Sequence, residues 1–166
     1  MALLVLLAGC AGCATPQPTS APPIDVLANL PTVVHGAPIE YDRRPWQLAL
    51  DGEPTAVTGA VRSAGFDPKD MEVAVGWARG GEVMVTAWRA AGMDSDDLRD
   101  AVIEQWDFGN VRRWDDKIAG RAVVRAGPIE SDPNRDLYLW ARDDAVVVVV
   151  ADDRRDVEAI IGGLPE

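Results

Sequence analysis

The chain has 166 residues, of which 48% are hydrophobic and 26% are charged. This balance excludes a disordered chain, because disorder requires high charge together with few apolar residues. The 27 acidic residues outnumber the 16 basic ones, and the formal net charge is -11 at pH 7. A field of that sign repels phosphate backbones, so nucleic acid is excluded as an expected partner.

The N-terminal segment is apolar from Met1 to Leu7 and continues as Leu7-Ala8-Gly9-Cys10. It resembles the lipobox of bacterial lipoproteins, in which small residues before a cysteine admit the signal peptidase. The resemblance implies that residues 1–9 are a signal peptide and that the thiol of Cys10 receives a diacylglycerol. It also implies a lipid-anchored location outside the cytoplasm, with the membrane as partner. The alternative is a buried N-terminal strand or helix that ends in a cysteine by chance.

Residues 10–23 are predicted to be the lipidated cysteine and a tether. Positions 14–23 read ATPQPTSAPP, and such proline-rich stretches favour the extended polyproline II conformation. Cys13 is the only other cysteine, so the part of the chain after the tether contains no disulfide. We therefore expect core packing alone to hold together a single α+β domain over residues 24–166.

Four helices are expected in this domain. A short one covers residues 25–30, and a second covers 54–64 and is followed by Gly65, whose backbone freedom suits a helix C-cap. A third begins after Asp94 or Ser95, and a fourth after Asp152 or Asp153, because these side chains can accept the unpaired amides of a first helical turn.

Runs of alternating or β-branched residues predict strands over 73–78, 82–89, 121–126, 137–142 and 145–151. Short turns at 79–81 and 142–144 join them into two hairpins. The unbroken valines at 146–150 indicate a central strand that is covered on both faces. The predicted fold class is α+β, a mostly antiparallel sheet of about five to six strands with helices packed on one face.

The two hairpins also resemble each other in sequence. Four residues of the first recur in the second at a constant offset of 63 (140 minus 77): Trp77, Ala78, Arg79 and Val83 match Trp140, Ala141, Arg142 and Val146. A further match at an offset of 90 lies upstream, between positions 33–42 and 123–132. These offsets indicate a diverged internal duplication of a strand, hairpin and helix, with units 24–106 and 107–166. Chance similarity between valine-rich strands is the alternative.

Residue types with catalytic or metal chemistry are few. His35 is the only histidine, so a zinc site would need carboxylates and a catalytic triad would have one base. We expect His35 to be an ordinary surface or half-buried residue, and we predict no metal and no cofactor. Neighbouring aspartates at 94–97, 115–116, 143–144 and 152–153 are expected at turns or helix starts, where carboxylates accept exposed amides.

The segment 106–114 reads WDFGNVRRW and is expected to be a long loop between a helix and a strand. Tryptophan and arginine dominate binding hot spots, and tryptophan rings stack on sugars. The candidate partner-binding residues are Trp106, Phe108, Arg112, Arg113 and Trp114. The alternative is that these aromatic side chains close the edge of the core.

The leading functional hypothesis is a non-enzymatic envelope module, held to the membrane by its diacylglycerol, that binds an envelope protein or glycan. One alternative is a hydrolase of envelope polysaccharide, which would need two carboxylates roughly 5 to 10 Å apart in a cleft. The other is a carrier that holds a small apolar ligand in a cavity between sheet and helices.

Overall fold

The computed structural model describes residues 25–45, 55–106, 112–127 and 135–166. The predicted signal peptide, Cys10 and the tether lie outside these residues. Within the described ranges, no helix combines the length and the apolar character that crossing a membrane requires.

The chain forms nine strands within the described residues. Val33–Val34 (β1) and Ala37–Pro38 (β2) make a small separate hairpin. The main sheet contains Glu40–Pro45 (β3), Glu72–Ala78 (β4), Val83–Arg89 (β5), Arg112–Ile118 (β6), Arg121–Gly127 (β7), Leu137–Arg142 (β8) and Ala145–Ala151 (β9). These seven strands are antiparallel and lie in the order β3-β4-β5-β9-β8-β7-β6. The edges of the sheet are therefore β3 and β6.

Three α-helices begin at the predicted places: Ala56–Ser63 (α1), Ser95–Trp106 (α2) and Arg154–Gly162 (α3). The side chain of Asp94 accepts a hydrogen bond from the amide of Asp96 at 2.8 Å, and Asp153 caps α3 in the same way. The predicted helix at 25–30 is a single 3-10 turn, Leu27–Asn29. Two further 3-10 turns cover Pro68–Asp70 and Arg79–Gly81.

The central strand is β9, and every residue in it is buried, as the valine run predicted. Its side chains alternate between the two faces of the sheet. Val147 and Val149 pack with α3 and with buried residues between positions 26 and 39, whereas Val146 and Val148 pack with α1 and α2. We call these the α3 face and the α1/α2 face.

The α+β class and the antiparallel sheet are confirmed, but two details differ from the expectation. The main sheet has seven strands rather than five or six, because it also contains β3 and β6, which the sequence pattern did not predict. The expectation that all helices pack on one face is wrong, since α3 covers the face opposite to α1 and α2. A central strand that is apolar on both sides needs cover on both, which a single layer of helices cannot supply.

The repeated order of elements is present, but the matched residues of the two hairpins point to opposite faces of the sheet. A three-stranded meander followed by a helix occurs as β3-β4-β5-α2 and again as β7-β8-β9-α3. Trp140 lies in the core of the α3 face. Ala78 also lies in that core, so its neighbour Trp77 points to the α1/α2 face. The pairing within the two hairpins is the same, since Ala78 lies opposite Val83 and Ala141 lies opposite Val146, so the matched residues differ only in the face of the sheet to which they point. The duplication itself stays a prediction.

Candidate functional site

The predicted binding segment is a helix end and an edge strand rather than one long loop. Trp106 is the last residue of α2, and Arg112, Arg113 and Trp114 are the first three residues of β6. Phe108 lies outside the described residues. The loop prediction is wrong for 112–114 because β6 pairs with β7 along its whole length. Its sequence, RRWDDKI, has too many polar residues to show the alternation of a half-buried strand.

The edge strand β6 exposes residues 112–115 and buries only Ile118 at its end. One side of its backbone pairs with β7, and no strand of the described ranges pairs with the other side. Such an edge offers a row of backbone amides and carbonyls to another chain.

Three side chains form a row across the α3 face at this edge of the sheet. The strand register sets Trp114 opposite Arg125, and Arg125 opposite Tyr138. The guanidinium of Arg125 lies 5.3 Å from the centroid of the Trp114 ring and 5.9 Å from that of the Tyr138 ring. These distances are within the range of cation-π attraction. Tyr138 is buried, whereas Trp114 remains 42% exposed at the outer end of the row.

Asp136 holds the central arginine of this row in place. The Nε atom of Arg125 donates to Oδ2 of Asp136 at 2.7 Å, and Nη2 donates to the same oxygen. These hydrogen bonds raise the pKa of Arg125 above its ordinary value. Gly127 leaves the space that the carboxylate fills, since a Cβ there would clash with Oδ1 of Asp136. We call Trp114, Arg125, Asp136 and Tyr138 the Trp114 platform.

The structure separates the two predicted tryptophans. Trp106 is half-buried against the core of the α1/α2 face, as the alternative interpretation of a core edge expected. Arg113 lies on that same face, and its Nη1 atom is 3.7 Å from Oδ1 of Asp100 on α2. Arg112 shares the α3 face with Trp114, because side chains alternate along a strand. The structure therefore divides the described binding residues between two faces, with Arg112 and Trp114 on the α3 face and Trp106 and Arg113 on the α1/α2 face.

A groove of about 210 Å³ adjoins β6 and is lined by several acidic side chains. Asp96 accepts a hydrogen bond from Arg99 at 2.6 Å, and Oδ2 of Asp116 accepts one from Nη1 of Arg154 at 3.1 Å. The bonds from Arg154 hold the pKa of Asp116 below its usual value. A glycosidase general acid needs a raised carboxyl pKa, so Asp116 is shifted in the opposite direction. Within the described residues, no three potential ligands are grouped to hold a metal ion.

The other paired aspartates have structural partners. Asp143 and Asp144 form the predicted turn between β8 and β9, and buried Asp144 accepts hydrogen bonds from Nε of Arg89 at 3.2 Å. Asp152 accepts one from Arg135 at 2.5 Å. The expectation that the pair at 115–116 lies at a turn is wrong, because both residues are inside β6.

His35 is half-exposed, and its contacts are structural. Its Nε2 atom lies 3.2 Å from the carbonyl oxygen of Arg155 and 3.6 Å from Oδ1 of Asp156. Asp156 is buried and receives two hydrogen bonds from Arg79. This position agrees with the expectation of an ordinary half-buried histidine.

Sequence reasoning missed Arg125, Asp136 and Tyr138, which complete the platform. Arg125 is in β7, Tyr138 is in β8 and Asp136 directly precedes β8, so they meet Trp114 only through the register of three neighbouring strands. The available signals were the predicted strands at 121–126 and 137–142, which carry Arg125 and Tyr138. No protein-family model matches the chain, and no curated protein or solved structure shows significant similarity to it.

Proposed function

We propose that this chain is a binding module of the bacterial cell envelope and that its ligand is a glycan bound at the Trp114 platform. The observation that carries the proposal is the half-exposed Trp114 ring beside the guanidinium of Arg125 at the open edge of the sheet. Diacylglycerol on Cys10 would hold the module on the outer side of the cytoplasmic membrane. The tether at 14–23 would then let the domain reach on the order of 30 Å from the lipid surface.

The chemistry of the platform suits a sugar ring. The exposed face of a tryptophan stacks on the C–H groups of a pyranose, and this contact removes apolar surface from water. Arg125 offers N–H donors and Asp136 offers carboxylate acceptors beside the ring, and sugar hydroxyls can use both. A protein with a net charge of -11 repels polyanions, so we expect a neutral polysaccharide rather than a phosphate-bearing one.

Sedimentation with insoluble cell-wall polysaccharide tests the ligand. Trp114→Ala is expected to weaken binding by about tenfold, since hot-spot aromatic residues contribute about 2 kcal/mol or more. Trp77→Ala is a matched control, because Trp77 is also 42% exposed but lies on the opposite face near the other edge. Its variant should bind as the wild type does.

Three results would count against the proposal. Equal binding by wild type and Trp114→Ala would remove the platform as a binding site. Equal losses in the Trp114→Ala and Trp77→Ala variants would indicate unspecific adsorption through exposed tryptophans. If the polysaccharide does not bind but a co-purified envelope protein is lost in Trp114→Ala, the ligand is a protein and the glycan assignment is wrong.

The anchor is tested separately by intact-mass measurement of protein purified from membranes. Acylated Cys10 is expected as the first residue, and Cys10→Ala should keep residues 1–9 and lose the lipid. Unmodified protein in the cytosol with its leader attached would contradict the location but would leave the platform untouched.

A further inference from the structure

The charges of β6 change sign at Trp114. Two basic residues, Arg112 and Arg113, precede the tryptophan, and two acidic residues, Asp115 and Asp116, follow it. The strand is the outermost of the main sheet, and residues 112–115 are exposed. Charged residues usually protect an edge strand from pairing, but this arrangement is complementary to itself when the strand is reversed.

Antiparallel pairing of two copies about a two-fold axis keeps each side chain on the face it already occupies. Residues that lie opposite each other point to the same face. The axis must therefore set one residue opposite its own copy in the second chain, because setting a residue opposite the neighbour of its copy would join side chains of opposite faces. With Trp114 on the axis, Arg113 lies opposite Asp115 of the second copy on the α1/α2 face. Arg112 lies opposite Asp116 of the second copy on the α3 face. Each pair occurs twice, and all four combine opposite charges.

Neighbouring registers lack this match. An axis through Arg113, Asp115 or Asp116 sets two copies of one charged residue directly against each other. The axis through Asp115 also sets Arg113 opposite Lys117. Like charges directly opposite each other destabilise a sheet, so Trp114 is the only centre between positions 113 and 116 that avoids them.

We propose that this chain forms a two-fold symmetric dimer through antiparallel pairing of β6 with β6 of a second copy, with Trp114 at the axis. The two seven-stranded sheets become one continuous sheet. On the α3 face, the rows of Tyr138, Arg125 and Trp114 meet end to end, because the axis preserves the face. Asp116 already accepts hydrogen bonds from Arg154 and then bridges Arg154 to Arg112 of the second copy. The dimer joins two platforms into one surface, but its formation requires no glycan.

Charge reversal tests the register. Arg113→Asp and Asp115→Arg each place like charges opposite each other at two symmetric positions. The double variant exchanges both members of each pair and restores attraction. Both residues are exposed, so all three variants should fold like the wild type. Sedimentation velocity of the full chain in non-ionic detergent is expected to show a dissociation constant raised about tenfold or more in each single variant, and within about threefold of wild type in the double variant.

Hydrogen exchange at residues 112–116 supplies a second readout. In the wild type, these amides are expected to gain protection as the protein concentration rises, and the single variants should gain less. A wild type that stays monomeric at about 0.1 mM would overturn the proposal. So would association that ignores both charge reversals, because the leader or another surface would then cause it. Protection that is complete at the lowest concentration would mean that another segment of the same chain covers the edge, and would also overturn it.

The measurement of self-association and the measurement of glycan binding can fail independently of each other. Self-association is measured without polysaccharide, so a monomer that binds glycan contradicts the dimer alone. A dimer that binds none contradicts the ligand alone.

Discussion

The ion pair between Arg79 and Asp156 joins the first turn of α3 to the turn between β4 and β5. Asp156 is 2% exposed, and its two oxygens accept hydrogen bonds from Nη1 and Nη2 of Arg79 at 3.0 and 2.9 Å. Asp156→Asn keeps the volume of the side chain but removes the negative charge and one of the two acceptors. The free energy of unfolding of this variant therefore measures how strongly the ion pair holds α3 on the sheet.

The expected loss follows from three contributions. A hydrogen bond between charged groups contributes about 1.5 to 3 kcal/mol, and one of the two is lost. The negative charge in the first turn of a helix adds roughly 0.3 to 1 kcal/mol. Breaking a fully buried pair costs about 3 to 5 kcal/mol, but Arg79 is 34% exposed and can recover part of its hydration. The free energy of unfolding should therefore fall by about 2 to 3 kcal/mol.

Urea denaturation followed by tryptophan fluorescence measures this loss. With a slope of about 2 kcal/mol per molar urea, the midpoint should fall by about 1 to 1.5 M. Asp152→Asn is the matched control, because Asp152 is 58% exposed and pairs with Arg135 at the surface, where a pair contributes below about 1 kcal/mol. A midpoint of Asp156→Asn at the wild-type value, or equal losses in both variants, would refute the argument that burial makes this pair important.

Two further predictions concern the platform and the acid response. Gly127→Ala should lower the free energy of unfolding by about 1 to 3 kcal/mol in urea denaturation, because the new Cβ meets Asp136. Gly59→Ala in α1 is the control, since its Cβ meets open space and the substitution should be neutral or slightly stabilising. Arg154 lowers the pKa of Asp116 in the folded state, so the ion pair stabilises above the unfolded-state pKa of 3.8 and is lost as the pH falls through the folded value. Asp116→Asn should therefore show a smaller loss of melting temperature than wild type between pH 5 and low pH, and parallel curves would contradict this.

The fold was predictable where burial shapes the sequence. The strands at 72–78, 83–89, 121–127, 137–142 and 145–151 are covered on at least one face, so their apolar residues either alternate or form an unbroken run. All three α-helices carry a capping side chain or an apolar stripe that marks their start. The placement of α3 opposite α1 and α2 was not predictable, because periodicity tells which residues are buried but not which face of the sheet buries them.

The candidate site was predictable only in part. Tryptophan and arginine at 112–114 drew attention because of their residue types, and Trp114 is indeed exposed at an edge. Its neighbours Arg125 and Tyr138 could not be inferred, because contacts between strands depend on register and a shift of one residue moves every side chain to the other face. The comparison of the hairpins has a different limit, because Trp77 and Trp140 match in sequence and in their position within the hairpin but lie on opposite faces of the sheet.

The two long strands that periodicity missed, β3 and β6, are the two edges of the main sheet. The coincidence has a physical cause. A strand can be polar along most of its length only where neither face is deeply covered, and that condition is met at an edge. The absence of a period-two pattern in β6 therefore reflects its exposure, and exposure is also what makes a strand available to a partner. Because polar residues at an edge are not selected for the core, their order is free to serve pairing, and in β6 that order is two positive charges, a tryptophan and two negative charges.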